Sequence, residues 1–242
     1  MKLVLFDIDG TILWTDGAGR RAMEAALVQT FGTTGPSTYR YGGKTDRQIV
    51  RELMREDGYS DDAIDARIPS VLEVYLQQLE RELSRAEPQV HRLDGVLELL
   101  DALEARADRV LGLLTGNVVT GAERKLRAVG IDPARFRIGA FGSDHEHRPS
   151  LPGIALERWC ASLGTSLGTS LGTSLGTTLT GERLIIIGDT PADIECGRGV
   201  GARAIAVATG DYSVEELASH APAAVFADLC DTDAVMRAID EA

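Results

Sequence analysis

Lys2-Leu3-Val4-Leu5-Phe6-Asp7-Ile8-Asp9-Gly10-Thr11 is the stretch on which the fold turns. Leu3 to Phe6 is an unbroken apolar run, which suits a short strand buried on both faces better than one with a wet side. Asp7 stands where the run stops, and Asp9-Gly10-Thr11 turns the chain. Side chains two apart on an extended backbone point the same way, so Asp7 and Asp9 share a side, and the turn at Gly10 lets both face one ligand. Two carboxylates so placed can divide labour, one as nucleophile and one as proton carrier.

Working outward, residues 18–31 read as a helix with Ala22, Met23, Ala26, Leu27 and Phe31 on one face and Gly32 as its stop. Residues 45–56 and 70–83 read as further helices, the second with a stripe of Leu72, Tyr75, Leu76, Leu79 and Leu83. Pro88 interrupts the pattern, and Asp94 is placed to cap a helix carrying Val96, Leu97, Leu100 and Leu103. Strand and helix then alternate. Strands are expected at 109–114, 136–141, 184–188, 202–207 and 224–226. Helices are expected at 118–129, 152–162, 191–197, 214–219 and 232–240. Apolar strands alternating with helices predict an α/β, Rossmann-like parallel sheet covered on both faces. A long helical stretch separates the first strand from the others, so we divide the chain into a core of residues 1–15 and 92–242 and an inserted helical cap of residues 16–91.

One segment fits neither period. Ser162 to Thr177 is four tandem copies of Ser-Leu-Gly-Thr. Its glycines weaken helix and strand alike, and residues 162–181 are expected to form a low-complexity loop within the core, without a catalytic role.

Composition narrows the function. Lys plus Arg total 25 and Asp plus Glu total 37, a net charge of 25 − 37 = −12. So acidic a chain repels nucleic acid and anionic membrane as a whole, and a phosphorylated substrate would need a local cation. Cys160, Cys196 and Cys230 are scattered, with no spacing for a zinc site or a disulfide framework, and are expected in the core. The N-terminal apolar run is cut at once by acids, unlike a secretory leader, and nothing reads as a membrane span, so a cytoplasmic protein is expected.

Three candidate elements lie at or just after apolar strand ends, the edge where open parallel sheets bind ligands. They are Asp7 to Thr11, Thr115-Gly116-Asn117, and Gly188-Asp189-Thr190-Pro191-Ala192-Asp193. Asp7, Asp9, Asp189 and Asp193 crowded together would repel strongly, and a hard divalent cation, Mg²⁺ above all, is the usual remedy. Thr115 offers a hydroxyl, and Gly116 and Asn117 offer backbone N–H groups, to phosphate oxygens. Arg148, in a loop ahead of a helix, offers a planar fork for the same purpose. Lys125 is a rival cation, but its mid-helix position has a surface-type neighbourhood. Lys44 and Arg47 could read a substrate carboxylate, and His145 and His147 are expected as an exposed loop pair.

The set resembles the haloacid dehalogenase superfamily in its phosphatase branch, along essentially the whole chain. The opening DxDGT pattern matches Asp7 to Thr11. The Thr motif matches Leu113 to Asn117, and the last acidic motif matches Gly188 to Asp193. Gly42-Gly43-Lys44-Thr45-Asp46 and the run from Gly201 to Gly210 are similar to phosphoglycolate-phosphatase-like members. The resemblance implies that Asp7 attacks phosphorus to form an aspartyl-phosphate. Asp9 would protonate the leaving alkoxide and then deprotonate the hydrolytic water. Mg²⁺ would sit on the Asp7 carboxylate, the Asp9 backbone carbonyl and Asp189, with Asp193 direct or through water. One departure stands out: the family usually places Lys, often Lys-Pro, where this chain has His147-Arg148-Pro149, so Arg148 takes that role. Arg keeps its charge and binds two oxygens, so the exchange is chemically tolerable.

The expected activity is therefore Mg-dependent hydrolysis of a small phosphorylated metabolite, phosphoglycolate-like or a sugar phosphate. A phosphomutase of the same superfamily is the alternative, followed by a non-catalytic phosphate-binding module. A dehalogenase is disfavoured because Asp9, the acid that serves a leaving oxygen, is present. A receiver domain is disfavoured because the order of its acids is wrong.

Overall fold

The structure is a computed structural model that describes residues 1–85, 90–164 and 180–242. Pro88 and the Ser-Leu-Gly-Thr repeat lie outside the described residues, save for Ser162, Leu163 and Gly164 at the start of the repeat. In chain order the strands are β1 Lys2–Phe6, β2 Leu13–Trp14, β3 His91–Arg92, β4 Arg109–Thr115, β5 Ile138–Phe141, β6 Leu184–Gly188, β7 Arg203–Val207 and β8 Ala224–Phe226. The helices are α1 Ala18–Phe31, α2 Asp46–Glu56, α3 Asp61–Asp65, α4 Ile68–Leu83, α5 Val96–Glu104, α6 Val119–Ala128, α7 Leu151–Ser162, α8 Pro191–Cys196, α9 Val214–Ala218 and α10 Thr232–Glu241.

Six strands form one parallel sheet in the order β5-β4-β1-β6-β7-β8. The sheet has helices on both faces, as the alternation predicts. Side-chain alternation along β1 shows why the run is apolar throughout. Val4 and Phe6 enter one core with α5, α6 and α10, while Leu3 and Leu5 enter the opposite core with α7, where Trp159 is fully buried. Residues of α1, α2 and α4 build a separate apolar cluster around Leu27, Leu53, Val71 and Tyr75, joined from below by Val118. Among the described residues no helix is long and apolar enough to cross a membrane.

Several local expectations need correction. Asp94 does not cap α5: Gly95 occupies the N-cap at φ 76, with no side-chain cap bond. A side chain there would overlap the Leu229 backbone, so close packing selects glycine over a capping residue. The short ribbon of β2 with β3 and the five-residue α3 were not foreseen, being too short to show a period. Cys160 and Cys196 are buried as expected, but Cys230 is exposed beside the turn that precedes α10.

Deleting the Leu5 side chain in the central strand (Leu5→Ala) should cost about 2–5 kcal/mol, because the closed core cannot collapse onto the void. Val28→Ala on the exposed side of α1 should stay within about 0.5 kcal/mol. Urea denaturation midpoints measure both, and equal costs would contradict this account of the core.

Candidate active site

Parallel pairing makes β1, β4 and β6 end side by side, so Asp7, Thr115 and Asp189 meet at one edge. The Asp7 N–H is tied to the Ile187 carbonyl of β6 at 2.9 Å. The chain then turns: Thr11 and Ile12 donate back to the Ile8 carbonyl, and Gly10 sits at φ 81. A side chain on Gly10 would overlap the Asp189 carboxylate. After β6, Thr190 and Asp193 close a capping box at the start of α8. Thr190 N and Oγ1 donate to Asp193 Oδ2 at 3.0 and 2.6 Å. Asp193 Oδ1 accepts from the Arg148 guanidinium.

Asp7, Asp189 and Asp193 are all buried, and one oxygen from each lies within 4.8 Å of the others. Arg148, itself buried, bridges Asp193 and Asp7, the latter at 3.4 Å. Once all three carboxyls are ionised, they and the one guanidinium leave two negative charges, which a divalent cation would balance. Burial, more than the Asp193 and Asp9 charges, pushes Asp7 up to about 6 despite Arg148 alongside. Burial, then Asp193 and Asp7, drives Asp189 well above the carboxylate range. Acids so penalised are the hard-oxygen donor set that Mg²⁺ relieves, so the residues present fit the ion.

Asp9 turns away from this cluster. Its carboxylate accepts from Lys125 Nζ at 2.6 and 2.8 Å and from Asn117 Nδ2 at 2.8 Å. The expectation of a surface-type Lys125 is thus overturned. Its side chain is buried and its third hydrogen goes to Asn117 Oδ1 at 2.7 Å. The neighbours Glu123, Arg124 and Arg127 make the helix look solvated, but Gly121, Ala122 and Leu126 mark the buried face that Lys125 shares. That face was the available signal. Thr115 Oγ1 accepts from the Asn117 backbone N–H and Nδ2 at 3.3 and 2.8 Å. Its own hydroxyl hydrogen is left to donate elsewhere.

A cavity of about 540 Å³ opens over this edge, lined below by Asp7, Asp9, Thr115, Gly116, Asn117, Arg148 and Asp189. Above, its wall includes Trp14, Asp16, Arg20, Arg40, Tyr41, Lys44 and Asp46. Lys44 reaches the cavity with its ammonium paired to Glu52 at 2.6 Å and lying over the Tyr39 ring. Arg47 is not among the lining residues. Arg40, which the sequence reading passed over, lines the cavity without a hydrogen bond or salt bridge among the described residues. His145 and His147 are exposed outside it, ring against ring at 6.5 Å.

The helical layer is fastened to the sheet edge at the start of α2. Asp46 N–H donates to the Gly116 carbonyl at 2.8 Å, and Asp46 Oδ2 accepts from Val118 N–H at 2.9 Å. Thr45 Oγ1 reaches the Glu146 carbonyl at 2.6 Å, and Arg51 Nε reaches the Glu146 side chain at 2.5 Å. A side chain on Gly116 would overlap the Lys44 carbonyl.

A family described as HAD-hydrolase-like matches residues 156–232, the part of the chain that carries Asp189 and Asp193. Over that stretch the chain is similar to the haloacid dehalogenase-like hydrolases. It is 27% identical over 232 residues to N-acetylmuramic acid 6-phosphate phosphatase of Pseudomonas aeruginosa, covering 94% of this chain and 91% of that one. Among solved structures, a hydrolase from Pseudomonas syringae superposes with a TM-score of 0.70 at 20% identity, covering 100% and 99% of the two chains. A predicted phosphoglycolate phosphatase from Haemophilus somnus gives 0.67 at 18% identity, covering 98% of each. At these identities the two superpositions speak to the fold.

The buried Asp46 yields a pH test. Burial pushes it up to about 6 from 3.8, against the Lys125 charge and the Val118 N–H bond that favour ionisation. The folded state then binds its proton more tightly than the unfolded state. Its contribution to stability is complete below about pH 4 and is lost as pH rises through 6. Asp46→Asn keeps the acceptor and removes the titration. The stability of wild type minus that of Asp46→Asn should fall by on the order of 2–3 kcal/mol between pH 4 and 7. Urea denaturation at several pH values reads it; a constant difference would contradict a buried Asp46 with a raised pKa.

Proposed function

We propose that this enzyme hydrolyses a small phosphate monoester, with Mg²⁺ bound, through an aspartyl-phosphate on Asp7. One observation carries the reading: Asp7 lies at the floor of the cavity inside an ion cluster with Asp189, Asp193 and Arg148, beside a Thr115 hydroxyl with a hydrogen to donate. An Asp7 oxygen bonds to phosphorus as the ester P–O bond breaks, and the departing oxygen takes a proton from Asp9. Water then yields a proton to Asp9 as its oxygen bonds phosphorus. The acyl-phosphate bond breaks, releasing phosphate and restoring Asp7. Thr115 and Arg148, with the N–H groups after Thr115, hold the phosphoryl oxygens. Mg²⁺, held by Asp7, the Asp9 carbonyl and Asp189 with Asp193 beside it, would supply the positive charge that lets an anionic nucleophile meet a phosphate dianion.

Residues 16–91 act as a cap over this site, and the substrate's non-reacting part meets its underside. Arg40 is the cation there with no hydrogen bond or salt bridge among the described residues, although its charge acts on the exposed Glu216, and the Tyr41 hydroxyl lacks a hydrogen-bond partner among the described residues. Recognition thus shifts from Lys44 and Arg47 toward Arg40 and Tyr41. A cavity of about 540 Å³ leaves room for a phosphorylated sugar, in keeping with the similarity to a phosphatase of an amino-sugar 6-phosphate.

Turnover of p-nitrophenyl phosphate should require Mg²⁺, stop with EDTA, and drop by about three orders of magnitude or more in Asp7→Asn. No Mg²⁺-dependent turnover above the Asp7→Asn background would overturn the proposal. With a sugar phosphate, Arg40→Ala should raise KM by roughly tenfold with kcat nearly unchanged, the signature of lost uniform binding.

A further inference from the structure

We propose that Lys125 is the positioning residue for Asp9, locking its carboxylate in the orientation from which it takes a proton from the hydrolytic water. The inference rests on the phosphatase reading above and concerns the second half of that reaction. All three hydrogens of the buried ammonium are spent inside the site: two on the Asp9 oxygens at 2.6 and 2.8 Å and one on Asn117 Oδ1 at 2.7 Å. None goes to the scaffold of α6. A lysine that merely filled space would gain nothing from a desolvated charge, which is tolerated only when fully paired.

The pairing also fixes a neighbour. With Asn117 Oδ1 committed to Lys125, its Nδ2 is turned toward Asp9 Oδ2 and Thr115 Oγ1, both at 2.8 Å. Asp9 thus receives three N–H donors, which fix where its carboxylate points. Without them its half-exposed side chain is free to leave its rotamer.

The surroundings are built to admit Lys125. Gly19, in the first turn of α1, stands where a methyl group would come within 3.2 Å of Nζ and 4.0 Å of the Tyr75 hydroxyl. The buried Asp46 adds a negative charge from α2 that acts on Lys125 without a hydrogen bond between them. Gly121, one turn earlier on α6, faces Leu76 and Leu79 of α4. Lys125 therefore belongs to the core but lies at the seam with the helical layer.

Lys125→Met, of similar length and uncharged, separates this role from a structural one. With p-nitrophenyl phosphate the leaving group needs no proton, so phosphorylation of Asp7 should survive and kcat/KM should stay within about fivefold, while kcat falls by roughly 10²-fold. The phospho-enzyme should accumulate, seen as a burst approaching one nitrophenolate per site and as acid-trapped protein phosphate. Lys125→Ala should behave likewise and regain part of its kcat with added propylammonium, a rescue that an unfolded protein cannot give. Full kcat in Lys125→Met, or parallel losses of kcat and kcat/KM without a burst or rescue, would overturn the positioning role. Wild type measured alongside keeps the failures apart. An active wild type with no burst in Lys125→Met refutes this inference alone, whereas a wild type without Mg²⁺-dependent turnover refutes the phosphatase reading and this role with it.

Discussion

Like charges held together at the end of a parallel sheet are the constraint around which this molecule is arranged. Strands that run the same way must end on the same side, so residues that follow β1 and β6 converge whether or not their charges agree. Asp7, Asp189 and Asp193 do not agree, and they are buried. The chain manages the repulsion locally. Arg148 is set between two of the acids, the Asp193 carboxylate is also used as a helix cap, and Thr11 donates to Asp189 at 3.1 Å. Glycine makes the crowding sterically feasible: side chains at Gly10 or Gly210 would overlap Asp189, and one at Gly188 would overlap Asp193.

The same constraint explains a contrast between the whole chain and its cavity. The protein carries a net charge of −12, yet Arg20, Arg40, Lys44, Lys125 and Arg148 all line the cavity. Those cations serve different ends. Arg148 and Lys125 neutralise acids of the sheet edge, Lys44 is paired with Glu52, and Arg20 binds Glu24 and the Ser37 and Tyr39 carbonyls. Arg40 alone of the five makes no hydrogen bond or salt bridge among the described residues, which is the ground on which substrate reading is proposed for it.

What could be read from the sequence follows from where burial is uniform. β1 and β6 are buried on both faces, so their apolar runs and the acids that end them were visible directly, and with them the sheet and the positions of Asp7, Thr115 and Asp189. Arg148 was singled out instead by the resemblance, as the residue standing where the family usually places Lys, and its contacts with Asp7 and Asp193 were not visible. Lys125 was misread because α6 is amphipathic. Three charged neighbours advertise solvent, and only the covering helices turn its face inward. Lys44 and Arg47 were chosen by type, while which one faces the cavity depends on the rotation of the chain entering α2, and no periodic signal records that. Gly95 illustrates a third limit, since the reason for its glycine lies in Leu229, far along the chain.

The two bonds from Asp46 to the loop after Thr115 tie the helical layer to the very loop that presents the site. Gly116 and Val118 flank Asn117, the residue that fills the acceptor sites of Thr115 and touches Asp9. Any movement that lifts α2 from the sheet edge must release those two backbone groups, loosening the loop between them at the same moment. Access and readiness would therefore exclude each other in any such movement. Were those bonds broken to let ligands exchange, the loop that presents Thr115 would slacken; with them made, the loop is held and the helical layer stays down on the sheet edge. On the proposed mechanism, an acyl-phosphate would then meet bulk water least when the groups proposed to direct a single water are most completely held.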